Sequence, residues 1–329
     1  MIPLIDSFGR RHRNLRISVT DRCNLRCTYC MPEEVTFRDR QELLSFEEIE
    51  RFVRAVMPLG INKLRLTGGE PLMRKDLPAL VEMLMTVPGI RDLALTTNAL
   101  LLSDHAPALF RAGLRRLNVS LDTLDHDRFR QLARRDGLAA TLHSLRIAKC
   151  LGFGPIKINA VAVRGMIEHD AVPLARYCRE NSFELRFIEF MPIGAEAWER
   201  SKCVLAHELI DLIEAGIGPL VPAAGYDPSS PAMEFDYADG GGRIGIIASV
   251  SRPFCRQCDR IRLTADGKLR NCLFAQDEDD VKSILRTRPF DDEQLREIVR
   301  KNIAGKREGH EINSSGFAKP SRTMHAIGG

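Results

Sequence analysis

Six short runs rich in leucine and β-branched residues recur along the first 190 positions: LRISVT (15–20), KLRLT (63–67), LALTT (93–97), RLNVSL (116–121), IKINAVAV (156–163) and LRFIEF (185–190). Between them lie stretches with helical periodicity, such as FEEIERFVRAVM, SDHAPALFRAGL and AVPLARYCREN. Such regular alternation of strand and helix leaves few solutions, because parallel strands need crossover helices to join them. Six units predict an incomplete (β/α)6 barrel, with chemistry on the loops that follow the strand C-termini. The Pro/Gly-rich stretch GIGPLVPAAGYDPSSP (216–231) then marks a boundary, so the expectation is a barrel over 1–220 and a C-terminal region over 221–329. Beyond it come the strand-like RIGIIASV, a cysteine-bearing hairpin, two helical stretches and a polar tail ending Gly328-Gly329, which together read as an α+β extension.

The first run leads directly into DRCNLRCTYC, where Cys23, Cys27 and Cys30 stand as C-x3-C-x2-C. A cubic four-iron cluster has four ligand positions, and three close thiolates fill all but one, leaving an iron open to a small molecule. The alternative is structural zinc, but zinc sites usually pair two C-x2-C knuckles. A lone triad with an x3 gap fits that pattern poorly.

A second group follows far downstream, Cys255 and Cys258 in FCRQC and Cys272 in LRNC. The intervening RIRLTADGKLRN reads as a hairpin with an Asp-Gly turn, which folds Cys272 back beside Cys258. A three-residue Ala265-Asp266-Gly267 loop, with Gly267 left-handed, sets Cys272 opposite Arg260. A two-residue loop sets it opposite Ile261 and turns the thiol to the other face. The three-residue loop is the expectation, since it puts Cys258, Arg260, Arg262 and Cys272 on one face. Zinc with a histidine remains the alternative, although no histidine lies between Cys255 and Cys272.

The bulk properties narrow the class further. At 329 residues and 44% hydrophobic, the chain can bury a sizeable core. No apolar run suits a signal peptide or a membrane span, and nine cysteines in such a chain read as reduced thiols and ligands, so a cytoplasmic location is expected. Cys150, Cys178 and Cys203 lack ligand spacing and read as core thiols. The formal charge of +4 gives no case for nucleic acid, and no membrane partner is expected.

The motifs LRISVTDRCNLRCTYCMP, KLRLTGGEPLMR, LTTNA, LRRLNVSLDTLD, IEFMPIG, FCRQCDRIRLTADGKLRNCLF and the terminal Gly-Gly, spread over nearly the whole chain, resemble the molybdenum-cofactor biosynthesis protein A family. The first motif alone resembles the wider radical S-adenosylmethionine superfamily. Members of the narrower family are GTP 3′,8-cyclases, which open molybdenum-cofactor synthesis by converting GTP to 3′,8-cyclo-7,8-dihydro-GTP. The resemblance implies a fold of the radical S-adenosylmethionine type, S-adenosyl-L-methionine as cofactor, and two 4Fe-4S clusters, on Cys23, Cys27 and Cys30 and on Cys255, Cys258 and Cys272. It further implies an external electron donor, a cyclic pyranopterin monophosphate synthase acting on the product, and a homodimer. One departure is Ala99, where the family commonly has glycine.

Residue roles follow from the same resemblance. Tyr29 and Met191 are expected at the adenine of S-adenosylmethionine, and Ser120 and Gly69 at its amino-acid end. Tyr29 otherwise reads as a packing residue, and Gly68-Gly69-Glu70-Pro71 as a plain strand-to-helix turn. Arg16, Arg65, Thr96 and Lys157, on strands or at their ends, are expected at the triphosphate. Charged groups inside a barrel are costly without a partner, and a polyanion is such a partner. Arg260 and Arg262 are expected to contact GTP and to assist catalysis. The implied radical removes hydrogen from C3′ of the ribose, and the carbon radical closes on C8 of guanine. The terminal glycines, by resemblance, enter the active site, against the usual reading of such an end as disordered. Rival readings are a peptide-modifying radical enzyme, which would need more cysteines, and a zinc protein.

Overall fold

Alternation at single-residue resolution explains how this chain makes a barrel with a polar interior. A computed structural model describes residues 3–194, 198–225 and 229–329. The six expected runs form β1 (Asn14–Ser18), β2 (Lys63–Thr67), β3 (Asp92–Thr97), β4 (Arg116–Ser120), β5 (Ile156–Ala162) and β6 (Glu184–Glu189). They pair in chain order, every pair parallel. Leu15, Ile17, Leu64, Leu66, Leu117, Val119, Ile156 and Ile158 are buried in the core on one face. The alternate positions are polar: Arg16 lies beside Arg65, and Thr96 beside Asn118. Parallel strands covered on both faces usually read as continuous apolar runs. Here the period-two pattern puts one face under helices and keeps the other for a ligand cavity.

The helices α1 (Phe46–Val56), α2 (Leu77–Met85), α3 (Leu102–Arg111), α4 (His126–Ala133), α5 (Leu138–Leu151) and α6 (Ile167–Asn181) connect these strands. The start of α1 is fixed by a capping box, in which Ser45 Oγ accepts from Glu48 N at 3.1 Å while the Glu48 carboxylate accepts from Ser45 N at 2.7 Å. Its buried face is Ile49, Phe52, Val53 and Val56, the spacing of an amphipathic helix over a sheet.

The C-terminal region extends the same sheet. After β6 the chain adds α7 (Ala206–Gly216) and β7 (Leu220–Pro222), and the C-terminal region then contributes β8 (Met233–Tyr237), β9 (Arg243–Ile247), β10 (Arg260–Leu263), β11 (Lys268–Arg270), β12 (Asp279–Asp280), α8 (Lys282–Arg286), α9 (Asp292–Ala304) and α10 (Met324–Ile327). The strand order is β12-β11-β10-β1-β2-β3-β4-β5-β6-β9-β8-β7. Strand β10 runs parallel beside β1, and β9 parallel beside β6, so two strands of the extension flank the six of the barrel. Both would-be edges thereby gain backbone partners. The hairpin pairs Arg262 with Arg270 and Leu263 with Leu269, with Gly267 at φ +77°. Carried on by two residues, this is the expected register with Cys272 opposite Arg260.

Candidate active site

The loop after β1 carries Cys23, Cys27 and Cys30, all free thiols and half-buried. It is pinned from several sides. Arg26 N and Thr28 N donate to Ala133 O at 2.9 Å and Leu132 O at 3.0 Å, at the end of α4. Gly69 N donates to Thr20 O and Glu70 N to Arg22 O, both at 2.7 Å. A Cβ on Gly69 would stand 2.4 Å from Arg22 O, and one on Gly194 would stand 1.9 Å from Tyr29 O. These glycines are therefore required by the close approach of two backbones to the cysteine loop. Burial pushes the Cys23 thiol up to about 11 and Cys30 to about 12, and drives Cys27 well above its usual range. A thiolate in this setting would need a cationic partner, which bound iron would supply.

Two carboxylates that the sequence reading did not single out organise this loop. Glu70 accepts from Leu72 N at 3.0 Å, Thr97 Oγ1 at 2.7 Å and Asn98 N at 2.7 Å. Asp122 accepts from Tyr29 Oη at 2.8 Å and from Val161 N at 2.7 Å, tying the cysteine loop to β5. Burial lifts the Glu70 carboxyl to about 7 and the Asp122 carboxyl to about 6, against those donors. A third, Glu189, accepts from Ala206 N, Val250 N and Ser251 N at 2.7–2.8 Å and so joins the end of β6 to α7 and the loop after β9. A glutamate followed by Phe-Met-Pro gives no local sign that its carboxylate will bind backbone amides some 60 residues away.

The cavity at the strand C-termini is lined by all six expected cysteine ligands and by Arg16, Tyr29, Arg65, Gly69, Thr96, Ser120, Met191, Arg260 and Arg262. Lys157 is the exception: its ammonium pairs with Glu184 at 2.5 Å, and it lies outside the cavity lining. Arg186 and Asn159, one partner in the register between β5 and β6, do line the cavity. Arg16 Nε, Arg65 Nε, Thr96 Oγ1, Asn159 Oδ1 and Arg260 Nη2 are buried without a protein partner. Burial, then the neighbouring guanidinium groups, bring Arg262 down to about 9 and Arg65 to about 10, and hold Arg16 well below its usual range. Buried cations that repel one another need an anion.

The second triad sits at the other side of this arginine group. Cys255 opens a single 3-10 turn, Cys258 precedes β10, and Cys272 follows β11. Burial acts to raise the Cys258 thiol, but Arg260 and Lys306 outweigh it and bring it down to about 6. Three thiols converging on a cavity, with an open side toward it, fit a four-iron cluster.

The C-terminus completes the wall. Arg262 Nη1 donates to Gly328 O at 2.6 Å, and Thr67 Oγ1 donates to Gly329 O at 2.7 Å. Gly328 has φ +90°, and Ile327 is buried with Phe190, Ile193 and Val250. Upstream, Arg322 grips Asp266 of the hairpin turn through two bonds of 2.9 and 3.0 Å.

Comparison with known proteins agrees with this geometry. Residues 17–178 match the Radical SAM superfamily and residues 183–312 match Molybdenum Cofactor Synthesis C. The chain is 47% identical to the GTP 3′,8-cyclase of Rhodopirellula baltica, over 100% of this chain and 92% of that protein. It is 42% identical to the GTP 3′,8-cyclase of Thermodesulfovibrio yellowstonii, over 98% of this chain and 99% of the relative. The chain belongs to the GTP 3′,8-cyclase family. Among solved structures, Streptococcus suis SuiB bound to S-adenosylmethionine superposes with a TM-score of 0.64 at 17% identity, covering 91% of this chain and 69% of that one. Native anSMEcpe with bound AdoMet gives 0.60 at 16% identity, covering 91% of this chain and 82% of that one. At those identities the likeness concerns the fold alone. Ala99 holds φ +62° while fully buried, a left-handed conformation that suits the glycine the resemblance leads one to expect there.

Proposed function

We propose that this chain acts as a GTP 3′,8-cyclase in the first step of molybdenum-cofactor synthesis, with a four-iron cluster on each triad and GTP in the arginine-lined space. The observation that carries this reading is the convergence of six thiols, five arginines, of which Arg186 and Arg262 are buried, and the C-terminal glycine on one cavity. When bound, the first cluster with S-adenosyl-L-methionine supplies a carbon radical on one-electron reduction, the chemistry that lets hydrogen leave C3′ of the ribose and C3′ close on C8.

The protein's part is to bind, orient and shield. Cys23, Cys27 and Cys30 would hold a four-iron cluster, which would supply the open iron site for the cofactor's methionine end. Tyr29, steadied by Asp122, and Met191 face the adenine, while Gly69 and Ser120 sit at the amino-acid end. Arg16, Arg65 and Thr96 bind the triphosphate with donors that have no protein partner. Lys157, paired with Glu184 outside the cavity lining, takes no part in this reading. Arg260 and Arg262 extend from the strand between the two triads and act on the substrate itself. Guanidinium forks suit phosphate and carbonyl oxygens and hold their charge in a buried site.

The same reading includes an external electron donor, a cyclic pyranopterin monophosphate synthase that takes the product, a homodimer and a cytoplasmic location. Among the described residues no helix is long and apolar enough to cross a membrane. On this reading the chain divides into a radical-generating barrel over 1–220, which holds β1 to β6 and the first triad, and a substrate-cluster region over 221–329, which holds β10 and the second triad.

Anaerobic incubation with GTP, S-adenosyl-L-methionine and dithionite, followed by identification of the product, tests the activity. Alanine at Cys23, Cys27 and Cys30 together should remove about half the iron and all cofactor cleavage. Alanine at Cys255, Cys258 and Cys272 should spare the first cluster but abolish cyclisation. Cleavage surviving the first change, or full product yield after the second, overturns the corresponding assignment.

A further inference from the structure

Lys306 is 4% exposed and lies outside the lining of the substrate cavity. A buried ammonium costs several kcal/mol unless something compensates it, roughly the penalty for any isolated charge. Its hydrogen-bond partners are Cys258 Sγ at 3.6 Å and Arg260 O at 2.9 Å. Arg10, Arg260 and the thiols of Cys258 and Cys272 surround it. His12 and the buried Asp259 also feel its charge. The nearest anionic partner available to this cation is thus a ligand thiolate of the second triad.

The position is held from behind. Arg10 Nη1 donates to both Cys255 O at 2.7 Å and Glu308 O at 2.8 Å, and its Nη2 donates to Arg307 O at 2.7 Å. Asp6 holds that guanidinium at 2.5 Å and His12 at 2.9 Å. One guanidinium therefore fastens the segment after Lys306 to the loop that carries Cys255. The spacing between Lys306 and the triad cannot drift without breaking this clamp.

The two triads consequently sit in opposite surroundings. The carboxyls of Glu70 and Asp122 and one guanidinium, Arg26, act on the first, whereas the cations Arg260 and Lys306 act on the second. Hydrogen bonds to cluster sulfurs and nearby charge are the protein's main means of setting a cluster's potential. A donor and a positive charge beside a thiolate favour the form that carries one more electron.

We propose that Lys306 is a positioning residue that raises the reduction potential of the second cluster by donating to Cys258 Sγ. The proposal rests on the second triad holding a cluster. The redox step is the uptake of one electron by that cluster from an external donor, with no bond made or broken.

The test is a mediated dithionite titration of anaerobic holoenzyme, without S-adenosyl-L-methionine, followed by electron paramagnetic resonance of both clusters. Lys306→Met should keep full iron and shift the second cluster's oxidised-to-reduced ratio about tenfold toward oxidised at a fixed poise, a fall of about 59 mV for a one-electron couple. The first cluster, in the same tube, should not move. Lys306→Arg, which keeps a cationic donor, should stay within about threefold of wild type, or about 30 mV. A second-cluster midpoint unchanged in a fully loaded Lys306→Met protein overturns the proposal. Loss of second-site iron in both variants also overturns it, by making Lys306 a folding element. A wild-type protein with no second signal instead refutes the cluster assignment on which the proposal rests.

Discussion

Gly328→Ala isolates the contribution of the docked tail with a single methyl group. Gly328 holds φ +90° and ψ +94°, a conformation that costs a residue with a Cβ about 1–3 kcal/mol. The new Cβ would stand 2.8 Å from Ser18 Cβ and 3.2 Å from Thr67 Cγ2, both fixed to neighbouring barrel strands. Forcing a methyl into such a contact adds about 1–3 kcal/mol. Against this, docking is held by one charge-assisted bond from Arg262 and one neutral bond from Thr67, together worth about 3 kcal/mol. The two penalties sum to about 2–6 kcal/mol and at their upper end exceed the restraint by about 3 kcal/mol, so the tail should leave the cavity in most molecules. Taking about 3 kcal/mol as the net loss, cyclisation should fall about 100-fold, at about 1.4 kcal/mol per factor of ten. The assay is product formation from GTP under anaerobic conditions, with iron content and S-adenosyl-L-methionine cleavage measured on the same sample and expected to be unchanged. Adding Ser18→Gly removes the 2.8 Å contact but not the backbone penalty, so it should recover about tenfold of the loss. Deleting Gly328 and Gly329 should be at least as damaging as Gly328→Ala, and a short peptide copying the tail should restore part of the activity. Full activity in Gly328→Ala would refute the argument, and so would a loss that tracked loss of iron.

Three further outcomes follow from other parts of the molecule. Arg260→Ala or Arg262→Ala should each lower cyclisation at least about 100-fold, the loss of a buried charge-assisted contact, while both clusters stay loaded; iron falling in step with activity would show a folding role instead. Burial, then the charge of Lys306, brings His12 down to about 4, so between that value and its unfolded range the unfolded chain binds the extra proton. The stability is complete above about pH 6.5 and is lost as pH falls toward 4; wild type should therefore lose about 2 kcal/mol more than His12→Gln between about pH 6.5 and 5 in anaerobic urea melts, and equal slopes would exclude His12. Ala99→Gly should raise the unfolding free energy by about 0.5–1 kcal/mol by relieving φ +62°, and a destabilised variant in the same melts would show that the strain is already relaxed.

What the sequence by itself determined was local. The spacing of Cys23, Cys27 and Cys30 is a property of one loop, and β1 to β6 were visible as β-branched runs because side-chain alternation needs only the nearest residues. The hairpin register that places Cys272 opposite Arg260 was legible too, since the turn Ala265-Asp266-Gly267 fixes it within a few residues. The resemblance supplied the set of site residues, most of which share one cavity. Tertiary structure decided where the remaining pieces went. Nothing local says that β10 will lie beside β1 and β9 beside β6, because strand partners across more than 200 or about 60 positions are chosen by edges left open elsewhere. The fold alone paired Lys157 with Glu184 and set the glycines of Gly68-Gly69 against the backbone of the cysteine loop. It also carried Arg10 and Lys306, from opposite ends of the chain, to the second triad. A buried charge is tolerated only where its partners converge, and that convergence is a property of three-dimensional packing which no periodicity along the chain encodes.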